Sequence, residues 1–385
     1  MEPDRTSLFD DFVRAIRRRL PLLDSAVSFN HAGIAPQPLS DAIADFEVRR
    51  GRLLPGAALD SVAGLKKEIR AAYGRLLNVP EQGIAITRHT AEGVNSIAQG
   101  LDWKPGDRIL TVNVEYPSNV YPWWNLRDRG VEVVTVPERD GRVELEEFVA
   151  AIVPGVRLVA ISHVEFASGF AFDLSEVSRA CRDSGALLFV DVAQSIGILP
   201  VDLRLVDAAA WPTWKWLMGP LGMGGLYVSK ELLPRVRPVF VGTDGMLPTG
   251  DYLEYRFEFR PDASRFEYST ENTLGLIGTA EALQRTLPLF EGDFAGEAAR
   301  RVWDIGDSLT AILERRGISC YSSMRPRERS GILSYVVPGG PAAVASKLRA
   351  GAVEVSVRGG RLRVAPHFYN DASDVDRFTA ALARP

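Results

Sequence analysis

The chain has 385 residues, 46% of them hydrophobic and 24% charged, with a formal net charge of −4. That length allows two domains with separate cores, and the mild acidity excludes the basic footprint of a nucleic-acid or anionic-membrane binder. No apolar run reaches the roughly 18 residues of a membrane span, and the two cysteines, Cys181 and Cys320, give neither a metal-ligand spacing nor a CxxC pair. The stretch MEPDRTSLFDDFVRAIRRRL lacks the apolar centre of a signal peptide, so the expected compartment is the reducing cytoplasm.

Residues 7–20 read as an amphipathic helix with Leu8, Phe12, Ile16 and Leu20 on its apolar face. A turn-rich stretch, FNHAGIAP, covers 29–36. Helical patterns follow at 40–53 and 59–77, then a short strand at 84–87. That strand leads into Arg88-His89-Thr90-Ala91-Glu92-Gly93, with Thr90 as N-cap of a helix to about 100. A helix start presents unpaired N–H groups and the positive end of its dipole, which suits a phosphate. Residues 108–114 are almost continuously apolar, the mark of a buried parallel strand, and end in Glu115-Tyr116-Pro117-Ser118-Asn119. A strand at 131–136, a helix at 145–152 and a strand at 158–162 come next. The last runs into His163-Val164-Glu165-Phe166, with His163 read as structural. Helix 174–184 carries Cys181 as a small buried hydrophobe.

The strand at 186–190 closes on Asp191, and Lys215 follows between Trp214 and Trp216, ahead of Gly219, Gly222, Gly224 and Gly225. Ligands of α/β sheets sit beyond the carboxyl ends of the strands. A lysine among bulky apolar groups loses hydration in its charged form, so more of it is free amine. An acid that can pair with a pyridinium nitrogen and a lysine that can bond to an aldehyde are the protein groups a pyridoxal phosphate site needs. Strands alternating with helices over 84–228 predict an α/β fold with a mainly parallel sheet covered by helices. Residues 234–260 are loop-rich. Beyond them lie a helix at 274–287, a charged surface helix at 294–316 and Cys320 in a turn. A strand at 331–337, a helix at 342–350, strands at 353–357 and 361–365, and a helix at 372–382 form an α+β C-terminal domain.

Asp191-x-x-Gln194-Ser195-x-Gly197, Pro200-x-Asp202 and Lys215-Trp216-Leu217-x-Gly219-Pro220-x-Gly222-x-Gly224 closely resemble the lysine region of class V aminotransferase-like enzymes. These are fold type I pyridoxal phosphate proteins that include cysteine desulfurases, isopenicillin N epimerase-like proteins and kynureninase relatives. The stretches FNHAGIAP, Thr90-Ala91-Glu92, RFEYSTEN at 265–272 and RLRVAPHFYN at 361–370 extend the resemblance over most of the chain. It implies an amino-terminal segment (1–27) packed on the small domain, a large domain (28–262) with a sheet of seven-stranded type, and a small domain (263–385).

The resemblance also implies pyridoxal 5′-phosphate as cofactor and Lys215 as the catalytic residue bonded to it. Asp191 would face the ring nitrogen, Gln194 the ring oxygen, and Tyr116 would stack on the ring. Thr90, Ala91, Thr213 and, across a homodimer, Thr270 would hold the phosphate. Asn30 and His31 would line the substrate pocket, and Arg363 would fork onto the substrate carboxylate. Three departures stand out: Trp214 where relatives often have His, Phe166 where many have Asn, and no Cys after Cys320, which argues against persulfide chemistry on the protein. The implied activity is aminotransferase-like transfer at Cα of an amino acid. A C–S lyase or an epimerase would share the same carbanion. Asp191, Gln194 and Lys215 together argue against a non-catalytic binding protein, and the lack of GxGxxG against a dinucleotide enzyme.

Overall fold

The computed structural model describes residues 5–52, 55–251, 253–294 and 296–383. Apolar runs punctuated by turns assemble a seven-stranded sheet. Across it lie Ile84–Thr87, Gly224–Val228, Ala208–Pro212, Leu187–Asp191, Val156–Ser162, Arg108–Val112 and Glu132–Val136. Gly224–Val228 runs antiparallel to both neighbours, and every other pairing is parallel. Leu187–Asp191 and Ala208–Pro212 are buried at every position, as strands covered on both faces must be. One face packs under helices Pro55–Leu77, Leu174–Ser184 and Thr273–Thr286 through Tyr73, Val177, Leu276 and Leu283. The other packs under helix Thr90–Gly100 through Val94 and Ile97. Cys181 is buried within the first of these cores.

The first helix spans Arg5–Arg18. Its buried stripe is Phe9, Val13 and Ile16, continued by Leu20, whereas Leu8 is 37% exposed. The expected face is therefore off by one residue at its start, because Phe9 meets Phe294. The next helix is Asp41–Arg50, and its expected end at Leu53 lies outside the described residues.

A second sheet, antiparallel throughout, orders Ser356–Arg358, Arg361–Val364, Leu333–Val336 and Ser319–Cys320. Cys320 thus sits in a strand rather than the expected turn. The single strand expected at 353–357 is two: Val353–Glu354 pairs in parallel with Val27–Ser28, and Ser356–Arg358 joins the four-stranded sheet. Residues 27–30 therefore attach to the C-terminal sheet, with Asn30 bridging Ala365. Ala263, Phe266 and helix Thr273–Thr286 pack on the large sheet. Helix Glu297–Glu314 is charged on one face only; Val302 and Leu309 are buried on the other. Among the described residues no helix is long and apolar enough to cross a membrane, and no cluster of His, Cys, Asp and Glu could hold a metal ion.

Candidate active site

Beyond the carboxyl ends of the central strands lies a cavity of about 420 Å³, where an α/β sheet offers a ligand site. Asp191 ends its strand there, buried, with Oδ1 accepting the Ala193 N–H at 2.8 Å. Lys215 enters from a tight loop: Gly219 N donates to Thr213 O at 2.9 Å and Met218 N to Lys215 O at 3.0 Å. Met218 closes this loop at φ 51°, a left-handed conformation rare outside glycine. Lys215 Nζ stands 5.4 Å from the centre of the Tyr116 ring, and Tyr116 meets Phe166 edge-on at 5.2 Å.

The charges in this cavity move one another. Burial pulls the Lys215 ammonium down to about 8; Asp191 resists, while Arg363 and Arg358 add repulsion. Burial pushes the Asp191 carboxyl up to about 6 against the pull of Lys215 and the Ala193 N–H. Arg363 is 1% exposed, and burial with Arg358 nearby lowers its guanidinium to about 9. It donates from Nε to Ser356 Oγ at 3.0 Å and from Nη1 to Phe166 O at 2.8 Å, with Asn30 Oδ1 at 3.5 Å from Nη2. None of these partners is a carboxylate. A buried cation that has no carboxylate in contact among the described residues and faces a cavity is a built site for an anion.

Helix Thr90–Gly100 begins at the same cavity. Its N-cap is His89, not the expected Thr90. His89 has the extended backbone of a cap, and its Nδ1 accepts the Glu92 N–H at 3.1 Å. Thr90 is the first helical residue, and His89, Thr90 and Ala91 all line the cavity. Exposed helix N–H groups there match a phosphate.

Other expected residues fall elsewhere. His31 does not reach the cavity: its Nδ1 is 2.8 Å from Ala365 O and its Nε2 2.6 Å from Tyr369 OH, in full burial. Its neighbours Ala32 and Gly33 line the wall instead. Asn30 meets Arg363 but donates to Glu354 Oε1 at 3.0 Å. Thr213 points its hydroxyl at the carbonyls of Pro220 (2.5 Å) and Met223 (3.1 Å), away from the cavity, because it closes the lysine loop. Thr270 is exposed and lines a neighbouring recess with Arg88 and Tyr268. Gln194 lines the cavity, with Nε2 donating to Ala32 O and Oε1 accepting from Trp216 Nε1, both at 2.9 Å.

The structure adds Arg358, Ser162 and Trp214 to the wall. Arg358 precedes the Gly359-Gly360 turn, a signal readable only as a turn. Behind Ser162 lies a carboxyl pair. Glu115 accepts the Ser162 N–H at 2.5 Å, the Ser162 hydroxyl at 2.7 Å and Asn119 Nδ2 at 2.9 Å. Burial pushes it up to about 7, those hydrogen bonds oppose, and Asp191 adds repulsion. Glu165 is fully buried, and neither carboxylate oxygen finds a hydrogen-bond donor among the described residues. Burial, then Glu115, raises it well above the usual carboxylate range. Protonated, Glu165 can share its hydrogen with Glu115.

A profile of the Aminotransferase class-V family matches residues 59–378. The chain belongs to the class V aminotransferase family. A probable cysteine desulfurase of Methanothermobacter thermautotrophicus is 29% identical over 94% of this chain and 94% of its own length. A cysteine desulfurase of Shigella sonnei is 32% identical over 69% of this chain and 67% of its own. Among solved structures, a cystine C–S lyase in complex with its reaction product cysteine persulfide superposes with a TM-score of 0.86 at 26% identity, over 94% of this chain and 99% of that one. The fold is fold type I, and the class V cofactor is pyridoxal 5′-phosphate. The cavity fits that group on its own geometry. A helix start faces it, an acid ends a strand in it, a lysine of lowered pKa enters it, and an aromatic ring flanks the lysine.

Proposed function

We propose that this class V enzyme is a C–S lyase, cleaving the Cβ–S bond of a cysteine-type amino acid and releasing the sulfur fragment to solution. The observation that carries this reading is the position of the thiols. Neither Cys181 nor Cys320 lines the cavity. Cys181 is 2% exposed in the large core, and burial pushes its thiol up to about 12. Burial likewise raises Cys320, in the four-stranded C-terminal sheet, to about 11. A thiolate acceptor for sulfur is thus missing at the site, while the named relatives above work on carbon–sulfur bonds. Transamination, the activity expected from sequence, uses the same carbanion but gains no separate support from these positions.

In this reading Lys215 would hold the cofactor through Nζ, and the same amine would serve as base for the substrate's Cα proton. Its lowered pKa supplies free amine for both tasks. Asp191 holds a proton at the ring nitrogen. When bound, the cofactor supplies an electron sink for the charge left at Cα. Arg363 takes the substrate carboxylate, Tyr116 covers the ring, and His89, Thr90 and Ala91 receive the phosphate. For cysteine the net reaction with one water gives pyruvate, ammonia and hydrogen sulfide; for its disulfide, the persulfide of cysteine leaves instead.

The assembly we propose is a homodimer in which the partner subunit's Thr270 completes the phosphate site. Leu253, Tyr255 and Phe257, exposed by 75%, 90% and 70%, give the chain an apolar surface that a second copy would cover. The test is a product assay on protein loaded with pyridoxal phosphate. Cysteine and cystine should each yield pyruvate and ammonia in step with sulfide or persulfide. Conversion of the bound cofactor to its pyridoxamine form without pyruvate from cystine would replace the lyase reading with transamination.

A further inference from the structure

The amide of Gln194 could sit in the cavity wall in either of two orientations of nearly identical shape. Its surroundings permit one. Trp216 Nε1 is a donor only, so the Gln194 atom 2.9 Å away must be the oxygen. Ala32 O is an acceptor only, so the atom 2.9 Å from it must be the nitrogen. Turned over, the amide would set donor against donor and acceptor against acceptor in a buried site, and both contacts would be lost. We propose that Trp216 is a positioning residue: its indole N–H fixes the Gln194 amide so that the second Nε2 hydrogen is offered to the cavity as a donor for a ligand oxygen.

Trp216 is itself held. It is 1% exposed. A Cβ at Gly331 would stand 2.6 Å from the indole Cη2, so the ring lies directly on that backbone. Its carbonyl is 2.8 Å from His367 Nε2, and His367 Nδ1 accepts the Phe368 N–H at 2.8 Å. With Nδ1 accepting, the His367 hydrogen is on Nε2 and donates to Trp216 O. The His31 ring stands beyond, 6.1 Å from the indole. Burial holds both imidazoles neutral, His31 at about 4 and His367 well below its ordinary value, so the support does not change charge in the working range. Because Trp216 adjoins Lys215, one residue ties the lysine loop to the amide.

This inference rests on the pyridoxal phosphate reading of the cavity, in which the oxygen met by Gln194 is the ring oxygen. A fixed donor there stabilises negative charge on that oxygen and weakens its hold on a neighbouring proton. The pH midpoint of the bound cofactor's visible absorbance reads this directly, apart from turnover. Trp216→Phe keeps an aromatic ring and removes only the N–H. The midpoint in the loaded variant should rise by about one pH unit. Gln194→Leu should raise it at least as far, and the double variant no further than Gln194→Leu alone, since both act through one contact. If Trp216→Phe does not accumulate, Trp216→Leu should give the same rise. A midpoint unmoved in the Trp216 variants while Gln194→Leu shifts it overturns the positioning role alone. A wild-type protein with no visible band after loading overturns the functional reading and this inference with it.

Discussion

Lys215 shares the cavity with one carboxylate, Asp191, and two guanidinium groups, Arg363 and Arg358. The imbalance favours an anionic ligand, and the two guanidinium groups add to burial in releasing the lysine's proton. Arg363 is the residue we propose for the substrate carboxylate, because it is buried and its hydrogen-bond partners among the described residues are neutral. Arg363→Ala should lower kcat/KM for the amino-acid substrate roughly 10- to 150-fold, the worth of a charge-assisted hydrogen bond. The loss should appear mainly in KM; an unchanged KM would move the carboxylate elsewhere. The Glu115–Glu165 pair makes a different prediction. Both carboxyls titrate higher in the folded protein than the ordinary value of 4.5. The native state therefore keeps protons that the unfolded chain has released. Stability is complete below about pH 4.5 and is lost as pH rises towards 7 and beyond. Glu165→Gln stays neutral throughout, so its melting temperature should fall less than wild type's between pH 5 and 8. Parallel falls in calorimetry would refute the shared-proton account. Of these residues, Asp191, Lys215 and Arg363 were legible in sequence, because each stands in a motif whose chemistry needs it. Glu165 was not, because its meaning depends on facing Glu115, which lies in the loop after another strand.

At the scale of elements, helix Thr90–Gly100 sets one wall of the site by its closeness to the sheet. A Cβ on Gly93 would lie 2.7 Å from the Ala210 Cβ on strand Ala208–Pro212. Gly93→Ala should lift the helix start from the cavity, at about 1–3 kcal/mol of stability for the overpacking. Pyridoxal phosphate affinity, measured by equilibrium dialysis, should fall along with the melting temperature. Retained affinity in a destabilised variant would separate the helix start from the phosphate. The cap shows where propensity rules stop. Composition points to Thr90, since hydroxyl residues lead at N-caps. The backbone instead turns one residue earlier, where His89 Nδ1 serves as acceptor.

For the whole molecule, the two sheets meet through the chain's ends. Val27–Ser28 pairs with Val353–Glu354, Asn30 bridges Ala365, and Phe9 and Val13 share a core with Phe368 and Tyr369. That arrangement brings Arg363 from the C-terminal sheet onto a cavity floored by the large one. It leaves Tyr255, Phe257 and Thr270 exposed. Sedimentation should find a dimer at micromolar concentration. Thr270→Val should weaken pyridoxal phosphate binding without changing that dimer. A monomer that binds the cofactor normally would refute the shared site.

The alternation of strands and helices through the large sheet, and Asp191 and Lys215 as its two chemically marked residues, were readable from the sequence itself. Apolar periodicity and short turn signals are local, and each fixes the face a segment must bury. Which side chains meet was decided only by the tertiary structure. His31 and Thr213 lie in the right motifs yet turn their polar atoms into the protein. Trp216 meets Gln194, and Glu165 faces Glu115, across separations along the chain that no local rule spans. Side-chain direction follows from packing between distant segments, and packing exists only once the chain has closed on itself.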